Sequence, residues 1–211
     1  MLYDRAAARE VDSTNYDRDI DGHPGAHLRR LPTANERAGE MTYRVAPFAI
    51  AALVFILDRI TKLIIKSHVT LWETRRVIPG FFNIIHTENP GVAFGLFADS
   101  RSPWRTLILI GLSAAVLILI TSVLVRKPRR GEAPNWVLRA GLAFVLGGAL
   151  GNLYDRVVHG TVTDFVEVYA DQHYFPAFNV ADSGITVGAA LLLIDIWRSR
   201  EKERPQAEVP H

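Results

Sequence analysis

Cysteine is absent from all 211 residues, which excludes disulfides, thiolate nucleophiles and cysteine metal sites. That absence fits any redox compartment and selects none. Lysine is scarce, with four copies, and the net charge is only +2. The basic residues lie mostly at segment ends, so nucleic-acid binding has little support. The seven histidines show no metal-ligand spacing and no H-E-x-x-H occurs, which argues against a zinc enzyme. With no glycine-rich phosphate loop or dinucleotide fingerprint either, no metal and no cofactor is expected. What the chain does hold is a set of charge-poor runs of Leu, Ile, Val, Ala and Gly. A soluble domain rarely contains several such runs of about 20 residues, whereas a multi-span membrane protein must.

The order of the runs predicts the architecture. Residues 1–40 carry fourteen charged side chains and no apolar periodicity, so a disordered polar tail is expected there. They also lack a secretory apolar region. Met41 follows directly, and two readings stand: residues 1–40 are a mis-assigned upstream extension, or they are a cytoplasmic tail. Spans are predicted at Val45–Ile65, Trp104–Val125, Trp136–Val158 and Asn179–Trp197, followed by a polar tail over 201–211. Between the first two spans, R-R-V-I-P-G-F-F-N-I-I-H and G-V-A-F-G-L-F read as short strands punctuated by Pro79-Gly80 and Asn89-Pro90-Gly91 turns. A sheet too short to close on itself has to lie outside the hydrocarbon. The fold class is therefore a mainly α, integral membrane, four-transmembrane-helix bundle with a small outward-facing β-sheet between spans one and two.

Orientation follows from charge. R-K-P-R-R after span two and R-S-R-E-K-E-R after span four are basic, while residues 159–178 hold no Lys or Arg but include Asp164, Glu167 and Asp171. By the positive-inside rule both termini are cytoplasmic and the sheet faces outward.

Candidate chemistry gathers in the segment Gly160–Gly188, which carries Asp164 and Asp182. A carboxylate at the mouth of a membrane span is costly and so a functional candidate. Two of them near one face suggest a pair that shares a proton and activates water. Asp182 also has a purely structural reading, because N-V-A-D places an acid three residues after the capping Asn179. Asp164 alone would pass for an exposed loop acid, although T-V-T-D-F-V is an apolar setting for one. Asn152, Asp155 and Arg156 close span three in the same outward region. In span one, Asp58 and Lys62 are spaced i, i+4 and can pair on one helix face. Gly147 and Gly151 form a small-xxx-small pair that admits a close helix neighbour. Competing constellations are weaker. D-S-G at 182–184 is a lone fragment, and a Ser–Lys hydrolase would need Ser183 or Ser67 beside Lys62. A proton- or ion-coupled transporter using Asp58, Asp155 and Asp182 would want acids spread through the bilayer depth, together with inverted repeats or broken helices. A scaffold packing through its glycine faces leaves the outer aspartates unexplained.

Three stretches together resemble one family: E-N-P-G-V-A-F, G-G-A-L-G-N-L-Y-D-R-V-V-H-G-T-V-T-D-F, and F-P-A-F-N-V-A-D-S-G-I-T-V-G. They are similar to the bacterial lipoprotein signal peptidases (signal peptidase II), over about residues 44–198. The resemblance implies a four-helix peptidase domain over 41–200 in the bacterial inner membrane. It implies an aspartyl endopeptidase that cuts prolipoproteins before a diacylglyceryl-modified cysteine, with its active site near the outer leaflet. Asp164 and Asp182 become the catalytic dyad. Asp155, Arg156, Asn152, Asn179, Asn89, Gly91, Asp58 and Lys62 become supporting or substrate-binding residues. Lipid-modified prolipoproteins and membrane lipid are the implied partners, and a globomycin-type cyclic peptide the implied inhibitor. The acyl chains are expected beside the small-residue faces of spans three and four, with V-E-V-Y-A-D-Q-H-Y-F as a loop clamping the peptide.

Overall fold

A computed structural model describes residues 33–91, 103–126 and 135–202. Of the unit Met1–Thr42, the described residues form the opening turns of helix α1; the unit Tyr43–His211 holds everything else. Helix α1 (Ala34–His68) begins inside the stretch whose composition suggests a tail. The elements after it are β1 (Thr74–Ile78), β2 (Phe82–Asn89), α2 (Pro103–Val125), α3 (Trp136–His159), β3 (Val162–Ala170), β4 (His173–Tyr174) and α4 (Val180–Lys202). Predicted strand residues 92–97, the basic loop over 127–134 and the tail after Lys202 lie outside the described residues.

Helix ends fall where local chemistry stops them. Asn135 caps α3, its side-chain oxygen accepting from Leu138 N at 3.0 Å, and Gly160 closes the helix at φ 78. Asn179 opens α4 in the same manner. Among the described residues three helical stretches are long and apolar enough to cross a membrane: Trp104–Val125, Trp136–His159 and Val180–Glu201. α1 is longer than any of them but carries Asp58, Arg59 and Lys62 within its apolar run.

α3 is the most buried of those three and packs on both α2 and α4. Its small residues permit this. A Cβ on Gly147 would stand 2.5 Å from Ala51 O of α1, and one on Gly188 of α4 would stand 2.6 Å from Gly141 O of α3. The small faces of α3 and α4 are therefore consumed by helix–helix contact. Ala51, Leu117, Ile120, Leu124 and Leu146 form the apolar core among α1, α2 and α3.

The sheet also differs from expectation. It has four antiparallel strands in the order β1-β2-β3-β4, so half of it comes from the segment between α3 and α4. V-E-V-Y-A-D-Q-H-Y-F is strand and tight turn, with Asp171 at φ 53, and is not a clamping loop. β-branched and aromatic side chains dominate β3, a strand signal that the search for apolar spans passed over. The Pro79-Gly80 turn does form, joining β1 to β2 with Gly80 at φ 82. Ile65 and Val69 at the end of α1 pack on Phe165 of β3, which seats the sheet on the bundle.

Candidate active site

The site lies where β3, the first turn of α4 and the last turns of α3 converge. Asp164 sits on β3 and is 2 % exposed, which rules out the exposed-loop reading. Its Oδ1 accepts from Asn179 Nδ2 at 2.7 Å and its Oδ2 from Asn89 Nδ2 at 3.0 Å. Burial pushes the Asp164 carboxyl up to about 6, against the two amide donors, and the charge of Asp182 adds to the shift.

Asp182 and Asn179 cap each other. Asp182 N donates to Asn179 Oδ1 at 2.9 Å, and Asn179 N donates to Asp182 Oδ2 at 3.2 Å. Asp182 Oδ1 accepts from Asn152 Nδ2 at 2.7 Å. The capping reading is thus correct in geometry, and it does not spend Asp182. Its carboxylate is half-buried and faces Asp164 across the shared Asn179. Arg156 Nη1 donates to Asn152 O at 3.3 Å, and its guanidinium interacts electrostatically with Asp182, Asp164 and Asp155.

Beneath this pair lies a fully buried ion network. Lys62 Nζ is 2.8 Å from Asp58 Oδ2 and 2.8 Å from Asp155 Oδ2, and it donates to Asn152 Oδ1 at 3.2 Å. The predicted i, i+4 pair therefore forms, and it extends to α3. Asp58 Oδ1 also accepts from Ala181 N at 3.0 Å, so α1 caps α4 from the side. A Cβ on Gly151 would stand 2.5 Å from Asp58 Oδ2, and only glycine leaves room for that carboxylate. Gly91 takes φ 90, and its N–H donates to Asn89 Oδ1 at 2.8 Å, which orients the Asn89 amide toward Asp164.

Sequence reasoning missed Arg59. It bonds Asp155 and lies 4.4 Å over the Tyr154 ring, balancing the second carboxylate of the network. Its position next to Asp58 was the available signal. A Ser–Lys pair is not assembled, since Ser183 Oγ donates to Asn179 O and Ser67 Oγ to Ile64 O, each at 3.0 Å.

The model of the Signal peptidase (SPase) II family matches residues 50–198. The chain belongs to the signal peptidase II family. Its relatives include the lipoprotein signal peptidase of Solibacter usitatus, 47 % identical over 155 residues, spanning 74 % of this chain and 92 % of that protein. The lipoprotein signal peptidase of Pseudomonas putida is 42 % identical over 164 residues, spanning 77 % and 92 %. Among solved structures, one of a bacterial membrane enzyme obtained by the in meso method superposes with a TM-score of 0.64. It is 28 % identical and covers 78 % of this chain and 94 % of that one. A second such structure gives 0.61 at 30 % identity, covering 72 % and 92 %. Membership of this family makes the chain a membrane peptidase of the aspartic type. The transporter alternative finds no support.

Proposed function

We propose that this chain removes signal peptides from diacylglyceryl-modified prolipoproteins as a membrane aspartyl endopeptidase, with Asp164 and Asp182 as its dyad. The observation that carries the proposal is Asn179, which bonds Asp164 through its amide and Asp182 through its backbone and oxygen. Two carboxylates from separate elements are thereby tied to one residue.

The division of labour follows from their settings. Asp182 lies in the first turn of α4, where the helix dipole and two N–H donors favour negative charge, so it serves as the base. Asp164, buried and raised to about 6, carries the shared proton. Asp182 takes a proton from water as the oxygen adds to the scissile carbonyl carbon. Asp164 gives its proton to the developing oxyanion; as the tetrahedral intermediate collapses, the C–N bond breaks, the amine takes its proton from Asp182, and a hydroxyl proton of the intermediate returns to Asp164 as the product carbonyl re-forms. Asn152 and Asn89 keep the two carboxylates aimed. The Lys62–Asp58–Asp155–Arg59 network holds α1, α3 and α4 at the spacing this requires.

α1 is read as a fourth span. Leu53, Ile56, Ile60, Leu63 and Ile64 are exposed, as lipid contact demands, while Asp58 and Lys62 turn inward and pair. With both termini cytoplasmic, the sheet and dyad belong at the outer leaflet of the inner membrane, and substrate enters from lipid. A globomycin-type peptide would occupy the same site. The deciding experiment is cleavage of a diacylglyceryl-modified prolipoprotein by the purified chain, followed by gel shift with and without that inhibitor. Absence of cleavage by the folded protein would refute the proposal.

A further inference from the structure

The face of β2 and β3 turned away from the dyad carries a second polar cluster, built around Glu88. Its carboxylate accepts from the Thr161 hydroxyl and, at 3.2 Å, from the Thr163 hydroxyl. Lys66 Nζ of the last turn of α1 stands 3.5 Å from it, as does His86 Nε2. His86 is itself held by Val69 O, 2.8 Å from its Nδ1. Burial works against the Glu88 charge, but the Thr161 hydroxyl and the Lys66 ammonium outweigh it and hold the carboxyl below its ordinary value. One side chain thus ties β2 to β3 through Thr163, to the turn that leads into β3 through Thr161, and to α1.

The register explains why such a tie matters. β2 pairs with β3 as Thr87↔Asp164, Glu88↔Thr163 and Asn89↔Val162, but the pairing shifts between Ile84 and Thr87. The irregularity interrupts the ladder just before the residues that serve the dyad. A slip of one residue there would turn Asp164 to the opposite face. Thr163 is Glu88's direct ladder partner and the immediate neighbour of Asp164, and Asn89 is the immediate neighbour of Glu88. Fixing Glu88 to Thr163 on one face therefore fixes Asn89 relative to Asp164 on the other.

We propose that Glu88 is a positioning residue for Asp164: by binding Thr161, Thr163 and Lys66 it locks the β2–β3 register in which Asn89 Nδ2 reaches Asp164 Oδ2. This rests on reading Asp164 as half of the dyad, and the test separates the two. The full chain is assayed on diacylglyceryl-modified prolipoprotein as wild type, D164N, E88A, E88Q and T161V/T163V. E88A and T161V/T163V should lower kcat about tenfold with KM unchanged, since misplacing a reacting group costs turnover. The basic limb of their kcat/KM profiles should move to higher pH, because the Asn89 donor that favours the ionised carboxylate is weakened. E88Q still meets both hydroxyls and should return kcat to within about twofold of wild type. Valine preserves shape and suits a strand, so the double variant carries the test should E88A not fold. Wild-type kcat and pH limb in either folded variant, or a loss confined to KM, overturns the role of Glu88. Full activity in D164N would instead overturn the dyad, whatever Glu88 does.

Discussion

Asp164 and Asp182 differ in what surrounds them, and the difference predicts a pH profile. In the proposed mechanism Asp164 carries the proton, and burial pushes its carboxyl up to about 6. As pH rises through that value the proton is lost, so kcat/KM should fall above about pH 6, by roughly tenfold per unit once well past it. A profile level from pH 5 to 8 would assign the proton elsewhere. Asp164→Asn and Asp182→Asn should each reduce turnover at least about a thousandfold while leaving the protein folded in membrane, read by gel shift and thermal melting. Asp155→Asn should lower both activity and melting temperature, because the buried Lys62 and the partly buried Arg59 lose their shared ionic partner. Breaking such a network costs about 3–5 kcal/mol. At this scale much was legible. Asp164, Asp182, Asn89 and Asn179 stand in the motifs that carry the family resemblance, and the structure brings their side chains together. The roles of Arg59 and Glu88 were harder to read, because each matters through a partner about 70 to 100 residues away; the place of Arg59 beside Asp58 hints at a role without naming its partner.

Among the elements, α3 decides the most. A Cβ on Gly148 would run into Ala181 O, the first turn of α4 beside Asp182, whereas a Cβ on Gly111 of α2 meets nothing within 4 Å. Gly148→Ala should therefore destabilise by about 1–3 kcal/mol and reduce activity. Gly111→Ala should leave both intact; equal melting temperatures for the two variants would contradict the packing described. The predicted spans agree with α2 and α3 to within a residue at each end, and α3 is punctuated locally by Asn135 and Gly160; α4 opens at Asn179 as expected but runs five residues beyond the predicted end at Trp197, to Lys202. β3 escaped because it sits between two spans, where a loop is the simplest connection, and because its pairing partner β2 precedes it by two helices.

For the whole molecule, orientation and boundaries are both open to direct test. The lack of cysteine makes this direct, because any introduced thiol is unique. Asp171→Cys, exposed in the β3–β4 turn, should label from outside intact cells, and Glu201→Cys, exposed near the end of α4, only after permeabilisation. The reverse pattern would invert the topology. A chain beginning at Met41 should retain activity, because the remaining part of α1 still extends about 42 Å at 1.5 Å per residue, enough to cross about 30 Å of hydrocarbon.

By itself the sequence determined that this chain enters a membrane, where three of its helices begin and two of them end, and which family its motifs belong to. Those are matters of local composition, capping and contiguous pattern. Only the tertiary structure decided that Asn179 joins the two aspartates, that α1 caps α4 through Asp58, and that β3 completes the sheet on which Asp164 is held. Each of these is a contact between segments far apart in the chain. Burial and register become physical quantities only once those segments have met.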